Sequence, residues 1–267
     1  MKRCVLVLSV LPVIFAASII EKVDPEAPYQ ANLVTASLLN DDAENCSGSI
    51  INKRWILTAA HCLVSLVYPR YLTITVGTRK FSGDGGKLYE VETHITHENW
   101  NLNPTNDIAL VRLKKDIVFD DNTQVIRLSR NDTDSQENTV ARLTSWGQLE
   151  DDTPAPFLGS NNLLVISQDQ CLQKLSDVIE KLNNTDDRRF FGKAVDGLDQ
   201  LLCTIPHANG RRLCHGDSGG PLVINDTQIG IVSSSYRCSG QPGLFTRVSS
   251  FIDWIQHHLT KYNDQLS

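Results

Sequence analysis

The chain has 267 residues, is 41% hydrophobic and carries a formal net charge of −6 at pH 7. That length holds one large domain or two small all-β ones. Acids scattered along the chain give a negative balance, which argues against nucleic acid or an anionic membrane surface as a partner.

Lys2 and Arg3 precede an apolar run over 4–15, and Ala16-Ala17-Ser18 supplies the small residues of a cleavage site. This is the pattern of a secretory signal over 1–18. The run is too short to span a bilayer comfortably, so a secreted, soluble mature chain beginning at Ile19 is expected. Losing two basic residues and no acid takes the net charge from −6 to about −8. Cys4 leaves with the signal, so six of the seven cysteines remain. An even number in an oxidising compartment implies three disulfides, for which spacing alone permits fifteen pairings. No Cys-x-x-Cys pair or His cluster suggests zinc; neither metal nor cofactor is expected.

Short β-type runs follow, separated by polar turns. Those over 49–51, 55–58, 71–77, 88–96 and 108–113 form a first group. Tyr71-Leu72-Thr73-Ile74-Thr75-Val76 alternates polar and apolar, as a half-buried strand does. Ser82-Gly83-Asp84-Gly85-Gly86 reads as a loop tip. The polar stretch 120–139, broken only by Val125-Ile126-Arg127-Leu128, reads as a connection between halves. A second group covers 141–146, 162–167, 221–224, 228–233 and 243–248, with Asn225-Asp226 as a hairpin turn. A helix is expected over 172–182. Another is expected at the end, capped by Ser249 or Ser250, with Ile252, Ile255 and Leu259 on one face. Many short strands in two groups argue for two small antiparallel barrels.

Three segments carry chemistry. Thr58-Ala59-Ala60-His61-Cys62 offers an imidazole, Asn106-Asp107-Ile108-Ala109-Leu110 a carboxylate, and Gly216-Asp217-Ser218-Gly219-Gly220-Pro221 a serine in a tight turn. Singly, each has a plainer reading: a satisfied core histidine, a turn aspartate entering a strand, a glycine-rich turn. Together they offer what acyl transfer needs: a nucleophile, a proton acceptor with an orienting carboxylate, and backbone N–H donors beside the serine.

In the order His…Asp…Ser, these segments closely resemble the chymotrypsin-like serine proteases, from about Ile19 to the C-terminal helix. The resemblance implies an all-β fold of two six-stranded antiparallel barrels, with the active site in the cleft between them and a C-terminal helix. The protease domain would cover 19–267, with barrels at about 19–125 and 140–250 and the helix at about 250–262. Ser218 would be the nucleophile, His61 the general base and then acid, Asp107 the orienting carboxylate. The N–H groups of Gly216 and Ser218 would form the oxyanion hole. Ser233 would support Asp107, and 233–235 would pair with substrate backbone. Disulfides Cys46–Cys62, Cys171–Cys203 and Cys214–Cys238 are implied. Asp217 would receive the amine of Ile19.

The chain departs from the family at several positions. The residue six before the nucleophile, at the base of the primary pocket, is Arg212 where trypsin-like members carry aspartate, so trypsin-like cleavage is not expected. Three readings stay open. Arg212 could bind an acidic side chain, partly fill the pocket, or turn outward and leave an apolar pocket lined by Leu213 and Gly243. Ser234 and Ser235 replace the usual tryptophan and glycine. Glu21-Lys22 replaces two glycines after Ile19-Ile20, and no basic residue immediately precedes Ile19, so signal cleavage alone is expected to expose it. The interval from Cys171 to Cys203 is unusually long, and its extra residues, roughly 176–198, either border the cleft or elaborate the surface. No acidic ligand set lies between Arg79 and Glu90 to hold calcium. His94, His97, His207, His257 and His258 read as surface or packing residues.

Sequons place glycans at Asn131, Asn183 and Asn225; Asn45 precedes a cysteine expected to be bonded and is a poorer acceptor. The expected function is a secreted, monomeric serine endopeptidase working through an acyl-enzyme on protein or peptide substrates, with an acidic or small apolar preference. Protein protease inhibitors are further expected partners; nucleic acid and membrane are not. The rival expectation is a weakly active or inactive homologue that acts as a binding protein.

Overall fold

The computed structural model describes residues 27–37, 43–67, 70–131, 137–148, 153, 155–208, 211–235 and 242–266. The expected signal over 1–18, Ile19 and Cys238 lie outside them.

The first barrel is built from β1 (Gln30–Ser37), β2 (Ala43–Asn52), β3 (Trp55–Thr58), β4 (Arg70–Val76), β5 (Lys87–Thr96) and β6 (Ala109–Leu113). Their order is β1-β2-β3-β6-β5-β4, and the antiparallel pairing of β1 with β4 closes the ring. The alternation read in β4 sends Ile74 and Val76 into its core beside Leu33, Ile50, Ile56 and Val111. After the two-residue β7 (Arg127–Leu128) come β8 (Val140–Ser145), β9 (Gly159–Ile166), β10 (Leu201–Pro206), β11 (Pro221–Ile224), β12 (Thr227–Ser235) and β13 (Gly243–Arg247). The order β11-β8-β9-β10-β13-β12 closes through β11–β12 into a second six-stranded barrel, with β7 lying parallel along the outside of β12. Asn225 and Asp226 both have positive φ, 47° and 58°, as the expected hairpin turn demands.

Two strands escape the sequence pattern. In β1, Gln30, Asn32 and Thr35 are buried, so polar residues stand where an apolar face would be sought. Their partners lie elsewhere in the fold: Gln30 Oε1 accepts from Thr144 Oγ1 at 2.8 Å, and Asn32 Nδ2 donates to the Phe81 carbonyl at 3.2 Å. In β10, Leu201 to Thr204 are buried on both faces and show no alternation.

The stretch between Cys171 and Cys203 folds as two helices, α1 (Gln168–Lys181) and α2 (Thr185–Asp196). The first starts four residues before the expected boundary, because Ser167 and Gln170 form a reciprocal capping box. The second was not expected; Asn184 caps it through Asp186 N–H at 2.8 Å. Leu175, Val178, Leu182, Phe191 and Ala194 make a small core of their own against Cys171–Cys203 and Leu244. The C-terminal helix, α3 (Ile252–Lys261), follows a 3-10 turn over Val248–Phe251, and no side chain caps it. The expected caps Ser249 and Ser250 lie inside that turn, a correction. Ile255 and Leu259 are buried as expected.

The chain beyond α3 returns to the first barrel. Trp55 Nε1 donates to Asp264 Oδ2 at 2.9 Å, Asn52 Nδ2 donates to the Gln265 carbonyl, and the Arg112 guanidinium stacks 4.7 Å from the Tyr262 ring. Arg112 is itself buried and pairs with Glu92. Asp264→Ala removes the acceptor of a buried indole and one of the anions facing Arg112. It should lower stability by about 1–3 kcal/mol, read as a lower urea midpoint at unchanged slope.

Candidate active site

His61 follows β3 in the 3-10 helix Ala60–Val67. The Cys46–Cys62 disulfide fastens that helix to β2. Two contacts then fix the ring: the His61 backbone N–H donates to Asp107 Oδ1 at 2.9 Å, and Nδ1 lies 2.8 Å from Oδ2. A carboxylate only accepts, so Nδ1 carries the proton and Nε2 is left as the basic atom.

Asp107 sits at the entry to β6, 2% exposed. Ser233 Oγ on β12 donates to its Oδ2 at 2.6 Å, and Thr246 Oγ1 on β13 donates to its backbone carbonyl at 2.8 Å. The carboxylate therefore accepts from both barrels. Burial alone lowers the His61 pKa. The Asp107 charge and hydrogen bond, with a smaller contribution from Glu44, outweigh it and hold the imidazole above its ordinary 6.5.

Ser218 is tied to the first barrel through its backbone. Its carbonyl accepts from Ser47 N–H on β2 at 2.7 Å, and the Gly216 carbonyl from Ser47 Oγ at 3.4 Å. Gly219 has φ +75°, and a Cβ there would strike Thr58 Oγ1 and the Ser47 carbonyl. Only glycine lets the serine turn seat this closely on the segment that carries His61. Among the described residues Ser218 Oγ makes no hydrogen bond. The near contact of His61 Nε2 is Cys62 Sγ, 3.8 Å away.

The turn holds its own backbone selectively. Asp217 N–H donates to Cys214, Gly219 N–H to Val232 and Gly220 N–H to Asp217. The N–H groups of Gly216 and Ser218 donate to no acceptor among the described residues. A serine with two such donors in its turn, and an imidazole held by a buried carboxylate, are the groups that acyl transfer needs.

The Trypsin family model matches residues 19–255. The chain belongs to the trypsin family of serine endopeptidases. It is 36% identical to chymotrypsin-2 of Vespa crabro over 232 residues, 86% of this chain and 93% of that one. With the chymotrypsin of Phaedon cochleariae it shares 32% over 247 residues, 89% and 80% of the two chains. In structure it is similar to neuropsin, a serine protease expressed in the limbic system of mouse brain, with TM-score 0.69 at 22% identity, covering 90% and 97%. The structure of GrC is likewise similar in fold, with TM-score 0.72 at 23% identity, covering 88% and 96%.

In this trypsin-family chain the remaining expected residues fall as follows. Arg212 is exposed, Leu213 is 4% exposed and packs against Gly243, and Ser235 Oγ donates to the Leu213 carbonyl at 3.2 Å. Ser233 is buried, Ser234 half-buried. Cys214 is disulfide-bonded; its expected partner Cys238 is not described. Asp217 is fully buried, but Ile19, expected to meet it, lies outside the described residues. Its carboxylate is held by Arg211, a residue the sequence reading passed over. Asn131, Asn183 and Asn225 are all exposed. Cys46, His61 and Cys62 bring ligand-type atoms together, but both sulfurs belong to the disulfide. Gly197, just past α2, packs against Thr105, two residues before Asp107, so the α1–α2 insertion touches the loop that leads into the site.

The electrostatics give a direct check. An NMR titration of His61 should show a pKa above 6.5. Asp107→Asn keeps the burial and removes the anion, so the value should fall below 6.5; an unchanged value would contradict the assigned cause.

Proposed function

We propose that Ser218, His61 and Asp107 form the catalytic triad of this endopeptidase. The observation that carries the reading is the buried Asp107 carboxylate, which binds both His61 N–H groups and the Ser233 hydroxyl. Ser218 Oγ attacks the scissile carbonyl carbon as its proton passes to His61 Nε2. The carbonyl oxygen becomes an oxyanion facing the Gly216 and Ser218 N–H groups. The C–N bond then breaks, Nε2 returns the proton to the leaving amine, and an acyl-Ser218 ester remains. Water attacks that ester with His61 again taking the proton; the acid leaves and Ser218 is regenerated.

For primary specificity we propose small or medium apolar side chains. An exposed Arg212 supports an outward guanidinium rather than one facing substrate. The buried Leu213 against Gly243, and the Ser235 hydroxyl spanning to the Leu213 carbonyl, support a narrow apolar pocket. Residues 233–235 would offer backbone to the substrate strand. We further propose secretion after cleavage at Ser18, glycans at the exposed Asn131, Asn183 and Asn225, and a monomer open to protein protease inhibitors. Among the described residues no helix is long and apolar enough to cross a membrane.

An active-site-directed phosphonate should label Ser218 and leave Ser218→Ala untouched. Cleavage of a mixed peptide library should be Ser218-dependent and follow apolar residues; cuts after Asp or Glu would instead put Arg212 at the substrate. Because His61 must be neutral to accept the serine proton and its pKa is raised, kcat/KM should fall on the acid side with a midpoint above pH 6.5. Asp107→Asn should lower kcat by about 10⁴-fold. N-terminal sequencing of the secreted protein should begin at Ile19.

A further inference from the structure

The two-helix insertion ends in a short connection that meets Asp107 from two directions. Helix α2 is seated first: Phe191 and Ala194 pack with Leu198 against the Cys171–Cys203 disulfide and Leu244 of β13. The Gly197 N–H then closes α2 on the Lys193 carbonyl at 3.2 Å, and a 3-10 turn over Leu198–Gln200 leads into β10.

On one side this connection meets the loop ahead of Asp107. That loop is closed at its base, where His97 N–H donates to the Ile108 carbonyl at 3.1 Å. Asn103 is its hub. Asn103 Oδ1 accepts from Thr105 N–H at 2.8 Å and from Thr105 Oγ1, and the Asn103 carbonyl accepts from Trp100 Nε1 at 3.1 Å. Trp100 packs on the first-barrel core. Thr105 is thus held from within the loop, and its methyl meets Gly197 from without. A Cβ on Gly197 would overlap Thr105 Cγ2 and stand 3.3 Å from Thr105 Cβ. A β-branched side chain whose hydroxyl is committed has little freedom to retreat. Gly197 has φ −118°, open to other residues, so the position asks for close approach rather than for glycine's conformational range.

On the other side the connection meets β13. Arg247 Nε donates to the Asp199 carbonyl at 3.2 Å, and its Nη2 donates to the Leu201 carbonyl at 3.0 Å. The residue before it, Thr246, stands opposite Leu201 in the β10–β13 pairing and donates its Oγ1 to the Asp107 carbonyl at 2.8 Å. The end of the insertion therefore touches both the chain two residues ahead of Asp107 and the strand that holds the Asp107 carbonyl.

We propose that Gly197 and Arg247 are positioning residues for Asp107, and that the α1–α2 insertion is a brace that keeps its carboxylate on the His61 ring. The inference rests on the proposed roles of His61, Asp107 and Ser218. It goes beyond them by giving the insertion a part in the reaction, where a surface elaboration would have none.

The test uses protein expressed from the full chain as wild type, Gly197→Ala, Thr105→Ser and the double variant, with active sites counted by phosphonate labelling. In Gly197→Ala the added methyl displaces Thr105, and Asp107 with it. Turnover per labelled site should fall about tenfold with KM little changed, as expected for a slightly misplaced catalytic group. The acid limb of kcat/KM and the NMR titration of His61 should both move to lower pH, because the Asp107 contact is what raises that pKa. Thr105→Ser deletes the struck methyl and keeps the hydroxyl for Asn103. The double variant should therefore recover kcat to within about threefold of wild type and return the acid limb. If Gly197→Ala does not fold, Arg247→Ala cuts the other tie, and the same directions are expected. Wild-type kcat with an unmoved His61 titration, in whichever of the two folds, overturns the proposal. So does a loss in Gly197→Ala that Thr105→Ser does not repair. A lower urea midpoint at unchanged kcat per labelled site overturns it too, leaving the insertion a role in stability alone. A wild type that fails to label sinks the triad reading. The His61 titration needs no turnover, so its shift in Gly197→Ala and return in the double variant still decide whether the insertion braces Asp107.

Discussion

The Asp107 carboxylate is where the two barrels are joined chemically. It enters from the first barrel, binds the His61 ring and backbone on that side, and takes the Ser233 hydroxyl from the second. Thr246, also from the second barrel, holds its carbonyl. A carboxylate buried this fully needs donors around it, and here they come from the 3-10 helix after β3 and from β12. The need to satisfy one buried anion therefore ties the 3-10 helix after β3 to β12, and Thr246 ties β13 to the same residue. The Ser47 bonds to Ser218 and Gly216 bring the serine turn into the same frame.

Asp217 answers the same physical problem in another way. Asp107 is satisfied by hydroxyl, amide and imidazole, none of them permanently charged, so its charge remains to act on the ring and hold it above 6.5. Asp217 is met by a guanidinium whose charge cancels its own at contact distance. The first arrangement leaves a field at a group that must exchange protons. The second removes one from a turn that must keep its shape. The two buried acids thus differ according to whether their charge is to be felt.

Much of this was legible in the sequence because the functional groups sit in short segments of distinctive local chemistry. His61 beside a bonded cysteine, Asp107 at a strand entry and Ser218 among glycines each carry their own signature, and β3 and β11 follow from dense apolar runs. What escaped depends on partners far along the chain. The polar side chains of β1 are buried because Thr144 and Phe81 meet them. Helix α2 sets its short stripe, Phe190, Phe191, Ala194 and Val195, among charged residues, and it packs against α1. The Arg211-Arg212 pair offers two guanidiniums one residue apart, and nothing local to them says which turns inward.

That choice is decided by the buried anion. Once Arg211 is committed to Asp217, the next side chain is carried to the opposite side, and the following one, Leu213, returns to the interior. An inward Arg212 would have needed a second buried carboxylate, because a lone guanidinium under Leu213 would lose its hydration without a partner. Among the described residues the neighbouring acid is Asp217, already saturated by four hydrogen bonds. The Arg211–Asp217 pair thereby leaves the buried Leu213 to pack against Gly243. The buried anion thus decides which of two adjacent guanidiniums turns inward and which stays exposed.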